Sequence, residues 1–395
     1  MSYSYYQHIF ADAPLPLAYI DRDLLDKNIA TTIARNGTSK TIRVASKSVR
    51  CVAMLQYILN SNPIFKGLMT YSASEALFLS QKGFDDLLMG YPTMGKQEID
   101  ALCQAIKKGK KIVFMADMEA HIQLIDKIAL QHGIIAPICM DIDLSMDLPG
   151  LHFGVWRSSL FTPDDVEKFV KTCKKYANIS LVGIMGYEAQ IAGVPDAVKG
   201  QSLKNGLVRL LKKRSIQKIA TFRQAAIDIC QKEGIMLQFV NGGGTGCLES
   251  TTQEAGITET TVGSGFYAPT VFNHYAHFKY EAAAGFAVQI VRQPKPHIFT
   301  CLGAGYIASG EIGKGKAPLP YLPLGAKLID LEGAGEVMTP VVYEGKEALK
   351  VGDPIFFRHA KAGELCERFT QLQIISQGKI VEIVPTYRGE GQCFV

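Results

Sequence analysis

The sequence predicts an α/β protein, a (β/α)8 TIM-type barrel followed by a C-terminal β domain, and three observations lead there. Eight short β-rich runs alternate with segments of helical spacing over roughly the first 275 residues. Beyond that point long helices give way to Gly, Pro and short alternating strands. The 395-residue length holds a barrel of about 250 residues plus a remainder of ordinary domain size.

The runs are TIRVASKS (41–48), GLMTYS (67–72), DLLMGYP (86–92), KIVFMAD (111–117), APICMDID (136–143), SLVGIMGYE (180–188), MLQFVNGGG (236–244) and TETTVGSGF (258–266). Helical spacing fills 52–60, 73–82, 96–108, 118–132, 163–176 and 207–232. Such alternation in a parallel order gives an open doubly wound sheet or a closed barrel, and a count of eight favours closure. The basic run Lys212, Lys213, Arg214 reads as a solvated helix face. The expected domains are a barrel over 19–275 and a β-rich domain over 276–395, with strands near 286–292, 297–302, 336–343, 354–359 and 371–384 and with residues 1–18 packing against it.

Composition excludes several functions. With 42 basic and 37 acidic residues the net charge is +5, too little excess for a dedicated nucleic-acid binder. Nine cysteines, an odd count without a CxxC pair, suggest neither a zinc ribbon nor a disulfide framework and fit reduced thiols in the cytoplasm. The opening residues lack a signal-peptide pattern, and no stretch offers about 18 uninterrupted apolar residues, so no membrane partner is expected.

Barrel active sites lie at the C-terminal strand ends. The first run ends in Ala45-Ser46-Lys47-Ser48, where alternation with Arg43 directs Lys47 inward; the plain alternative has it just past the strand, reaching solvent. The last two runs end in NGGGTG (241–246) and GSGFY (263–267). Glycine loops after strands seven and eight commonly cradle a phosphate, because backbone N–H groups approach the anion closely; the alternative is tight-turn glycine. A lysine facing a phosphate cradle suggests pyridoxal 5′-phosphate (PLP), whose aldehyde needs the amine.

The segments RVASKSVR (43–50), LVGIMGYEAQIAG (181–193), VNGGGTGCLE (240–249), RHAKAGELCERF (358–369) and VPTYRGEG (384–391) resemble bacterial amino acid deaminase/aldolase proteins. These belong to the alanine racemase-like, fold type III group of PLP enzymes, with D-threonine aldolase and D-serine dehydratase. The resemblance spans nearly the whole chain. It implies that Lys47 holds the cofactor as a Schiff base, that Gly243, Gly244 and Thr245 with Ser264, Gly265 and Tyr267 bind its phosphate, and that Tyr187 lies at the cofactor. From the residues alone, Tyr187 also reads as a barrel-rim aromatic with its hydroxyl in water. The group often sets an arginine against the pyridine nitrogen; Arg157 is the candidate, with His152 as competitor and a surface ion pair as its plain alternative.

The dehydratase and aldolase branch holds a metal through His followed two residues later by Cys or Asp. Here His359 is followed at plus two by Lys361, and the nearest thiol is Cys366. A zinc or manganese ion on His359 and Cys366 is one expectation; Lys361 in the metal's place is the other. The resemblance implies a homodimer with shared active sites and a PLP-dependent lyase acting on D-β-hydroxy amino acids, by retro-aldol cleavage or dehydration. The alternatives are an amino acid racemase using Tyr306 as second base, a non-catalytic PLP-binding protein, and a barrel enzyme for a phosphorylated metabolite.

Overall fold

The computed structural model describes residues 1–310 and 313–395, and the chain divides into two units. One comprises Thr32–Lys47, Leu55–Gly263 and Phe394–Val395; the other comprises Met1–Thr31, Ser48–Met54 and Ser264–Cys393.

The first unit contains a closed barrel of eight parallel strands: β1 (Thr41–Ala45), β2 (Phe65–Thr70), β3 (Leu87–Met89), β4 (Ile112–Ala116), β5 (Ala136–Asp141), β6 (Ile179–Gly186), β7 (Phe239–Gly242) and β8 (Glu259–Val262). β8 closes the ring on β1, with Thr261 opposite Arg43. Every predicted run overlaps one strand. The runs overshoot at their C-terminal ends, where Ser46–Ser48 forms a 3-10 turn and the residues after β6 and β7 leave the ladder.

The covering helices carry the expected local signals. Ser72 caps Ala73–Gln81 by accepting from the Glu75 N–H, and Thr162 with Asp165 forms a capping box ahead of Pro163–Cys173. Glu119–His132 ends on Gly133 at φ +65°. Ser202–Lys232 starts earlier than its spacing indicates, running through Gly206, a residue that costs about 1 kcal/mol in a helix. Within it Lys213 and Arg214 are exposed, but Lys212 is buried and donates to Asp196 at 3.0 Å. The basic run is therefore only partly a solvated face.

Inside the barrel the core is polar at one level. The Arg43 guanidinium makes two bonds to Glu259, at 2.8 and 3.0 Å, and one to Asp86 at 2.9 Å. Asn241 links Glu259 and Thr261.

The second unit is built on a nine-stranded sheet. Leu17–Asp21 lies centrally in it, antiparallel to Ala284–Lys295 and parallel to Gln371–Ser376. The opening segment is thus an integral strand preceded by the helix Tyr3–Ile9, whose Tyr3 and Tyr6 pack with Phe10, Tyr19 and Phe356. This unit takes up the chain at Ser264, ahead of the expected change near 275. Phe272, Tyr275, Phe278 and Tyr280 form their own aromatic cluster in that stretch. Among the described residues no helix is long and apolar enough to cross a membrane, and no two cysteines are joined in a disulfide, eight of the nine being buried and Cys393 exposed.

Candidate active site at the strand ends of the barrel

Lys47 sits on the turn that ends β1, exposed, and its ammonium donates to the Tyr91 hydroxyl at 2.9 Å. Tyr91 lies just beyond β3 and is 38% exposed. Partial burial would raise its hydroxyl, but Lys47 and Arg157 outweigh that and hold it below the ordinary phenol value. Tyr91 escaped the sequence reading, although a tyrosine directly after a strand-ending glycine in GYP was a usable signal.

Arg157 comes from the loop after β5. Its Nε donates to Asp141 at 2.8 Å and its Nη2 to the Gly90 carbonyl at 2.6 Å. Its guanidinium carbon lies 4.7 Å from the Tyr91 ring centre and 5.8 Å from that of Tyr187, within cation–π range. Burial pushes the Asp141 carboxyl up against the pull of Arg157. Lys47, Tyr91, Arg157 and Tyr187 therefore form one chain of contacts at the C-terminal strand ends. His152 is engaged elsewhere: it bonds Asp147 at 2.7 Å on the hairpin of Met146–Leu148 with Leu151–Phe153 and stacks on Trp156 at 3.8 Å.

The loop after β7 begins with Gly243 at φ +89°, a conformation glycine adopts without strain. The Gly243 N–H is taken by the Glu188 carboxylate at 2.6 Å, and Gly244 and Thr245 follow it on the loop. Gly244 packs closely, since a Cβ there would stand 3.0 Å from Ala192 and 3.2 Å from the Tyr187 ring.

In the second unit Ser264–Tyr267 is a single helical turn, and the fully buried Tyr267 donates its hydroxyl to the Val49 carbonyl at 3.2 Å. That proton is committed to the backbone. The Tyr306 hydroxyl is buried with no hydrogen-bond partner among the described residues, and burial raises it far above the ordinary phenol value.

The expected metal pair is not drawn together by any hydrogen bond. Cys366 is fully buried, donates its thiol to the Val49 carbonyl at 3.3 Å, and is pushed well above the usual thiol range by burial. His359 is fully buried with neither ring nitrogen hydrogen-bonded among the described residues, and burial, helped by Arg358, lowers it to about 3. Lys361 is exposed and donates to the Ser309 hydroxyl at 3.1 Å. Among the described residues no group of three or more His, Cys, Asp and Glu is placed to hold a metal ion.

Residues 20–270 match the family model for the alanine racemase N-terminal domain, and the chain belongs to that family. It is 22% identical to 3-hydroxy-D-aspartate aldolase of Paracoccus denitrificans (strain Pd 1222) over 393 residues, covering 95% of this chain and 92% of the relative. Its fold is similar to that of D-threonine aldolase from Filomicrobium marinum, with TM-score 0.78, 16% identity and 96% of each chain covered. It is also similar to D-threo-3-hydroxyaspartate dehydratase from Delftia sp. HT23, with TM-score 0.76, 16% identity and coverage of 96% and 98%.

Proposed function

We propose that this chain is a PLP-dependent lyase acting on D-β-hydroxy amino acids, by retro-aldol cleavage or by dehydration. The observation that carries the reading is the Lys47 ammonium at the end of β1, bonded to Tyr91 and linked through Arg157 to Tyr187. The names of the relatives, two aldolases and a dehydratase of D-hydroxy amino acids, support it.

The residues fit the cofactor. Lys47 offers an exposed amine, Tyr91 and Tyr187 offer aromatic faces, and Gly244, with no side chain, lets the glycine loop lie close against the Tyr187 ring. When bound, PLP supplies an aldehyde for amines and a ring that draws electrons from the bonds at the substrate α-carbon. Tyr91, with its proton loosened by Lys47 and Arg157, is suited to exchange a proton with the Lys47 Nζ. Arg157, anchored by Asp141 and Gly90, holds a fixed positive charge beside both tyrosines; against the pyridine nitrogen it would keep that nitrogen unprotonated. Ser264, Gly265 and Tyr267 remain candidates for phosphate binding through their backbone.

A divalent metal does not fit in the same way, because His359 lacks a neighbouring thiolate or carboxylate set and the Cys366 thiol is committed to a carbonyl. No step is assigned to one. The homodimer implied by the resemblance, and a cytoplasmic location in keeping with nine cysteines without a disulfide, complete the proposal.

The test supplies D-threonine, D-serine, D-3-hydroxyaspartate and their L forms, with and without chelator. Glycine plus aldehyde from a D form establishes the aldolase; 2-oxo acid plus ammonia establishes the dehydratase. Absence of either from every D form, or borohydride fixing the cofactor to a lysine other than Lys47, overturns the reading. Loss of activity on chelation overturns the metal-free part alone.

A further inference from the structure

Arg223 is the largest fully buried side chain in the protein, 1% exposed, on the helix Ser202–Lys232. Its guanidinium is shared between two carboxylates, Glu188 and Glu254, and also donates to the Gly186 carbonyl at 3.2 Å. Glu188, also 1% exposed, directly follows Tyr187. One of its oxygens takes the Gly243 N–H at 2.6 Å and faces the Cys247 thiol at 3.8 Å; the other takes Arg223 and the Thr251 hydroxyl at 3.3 Å. A single carboxylate thus ties the end of β6, the long helix, the glycine loop and the short helix Leu248–Thr252 together. Gly242 is shaped by the same group, since a Cβ there would stand 2.9 Å from Arg223 and 3.0 Å from Glu188.

Burying three charges is a poor route to stability, because well-packed apolar groups of the same volume commonly do as well. What the array does provide is a fixed orientation for the Gly243 peptide, and with it for the loop that follows. We infer that Glu188, held by Arg223 and Glu254, is a positioning residue that sets the Gly243–Thr245 loop for the phosphate of the cofactor. It consumes the Gly243 N–H in doing so, and Gly243 therefore shapes the site without binding the phosphate. The inference rests on the PLP reading above. Glu254 is the outer end of the array, bordering a cleft of about 110 Å³ lined also by Ala220, Gln224, Ile227 and Gly256; water reaches that end, and its loss is the milder one.

The test compares binding of PLP with binding of pyridoxal, which has the same aldehyde and ring but no phosphate. Dissociation constants come from absorbance and fluorescence titration of the apoprotein, alongside the phosphorus NMR shift of bound PLP. Glu188→Gln keeps an oxygen acceptor but drops the charge that holds Arg223. It is expected to weaken PLP by about tenfold or more, the scale of one charge-assisted hydrogen bond, to leave pyridoxal unchanged, and to shift the phosphorus signal. Glu254→Gln is expected to weaken PLP less. If Glu188→Gln does not fold, Arg223→Lys, which can still reach Glu188, is expected to give the same phosphate-specific loss in smaller measure. Equal weakening of both ligands, or no change in either, overturns the positioning role. A wild-type protein that binds neither ligand overturns the PLP reading instead.

Discussion

Replacing Arg43 by methionine would expose how the barrel tolerates charge in its interior. Arg43 is 4% exposed and Glu259 has a side chain 6% exposed, and their two bonds are 2.8 and 3.0 Å. Removing the guanidinium leaves a buried carboxylate with only the Asn241 amide, at 2.9 Å, still donating to it. Breaking one side of a buried pair costs about 3–5 kcal/mol. The lost bonds to Asp86, one to a carboxylate whose side chain is 47% exposed and one to its backbone carbonyl at 2.8 Å, add about 1 kcal/mol each at most. Against a typical total of about 5–15 kcal/mol, Arg43→Met should lose at least about a fifth of the stability, and most of it if the total lies at the low end. The double variant Arg43→Met with Glu259→Gln removes the stranded charge while preserving an acceptor for Asn241, and should recover most of the loss. Urea unfolding followed by far-UV circular dichroism reads both; the one tryptophan, Trp156, is 83% exposed and reports poorly on the core. A single variant within about 1 kcal/mol of the parent, or a double variant no better than the single, would refute the argument.

Other consequences are more direct. Tyr91→Phe removes the hydroxyl bonded to Lys47 and should lower turnover by about 100-fold, the scale of a lost acid–base group, with PLP still fixed by borohydride at Lys47; unchanged turnover would remove Tyr91 from the chemistry. Native protein should react rapidly with a thiol reagent at Cys393 alone, the other eight cysteines being buried, and all nine should react after denaturation. His359 is held down to about 3 by burial and Arg358, below its ordinary 6.5. The unfolded chain therefore takes up this proton first as pH falls. The stabilising effect of neutral His359 is complete above about pH 6.5 and is lost on the way down to about pH 3, by at most about 5 kcal/mol. His359→Asn should flatten that limb of the stability curve, and a limb of unchanged slope would contradict it.

The eight barrel strands were legible because each is a short β-rich run and, apart from the closing pair of β8 with β1, neighbours in the sheet are consecutive strands in sequence with helix between them. The strand Leu17–Asp21 was not, since its partners lie beyond residue 280 and so short a run, LAYID, carries no sign of where it pairs. In the candidate site, Lys47 and the glycine loop were expected from their chemistry and Arg157 and Tyr187 from the family resemblance, and Lys47, Arg157 and Tyr187 lie in one chain of contacts. What the pattern misread are polar residues on buried faces. The helix Arg22–Asn36 shows no apolar stripe because Asn28, Thr32 and Asn36 occupy its buried side. Asn28 is satisfied by the carbonyls of Phe266 and Glu281, and Asn36 by Thr260. Lys212 has Asp196, and Arg223 has Glu188 and Glu254. Burial of such groups is tolerated only with a partner in place, and in each case the partner comes from a separate segment. Periodicity counts a polar residue as outward by default, so it misreads the positions where distant segments are pinned together. One of these pins, Glu188 just past the end of β6, takes the Gly243 N–H of the loop on which the proposed phosphate site depends.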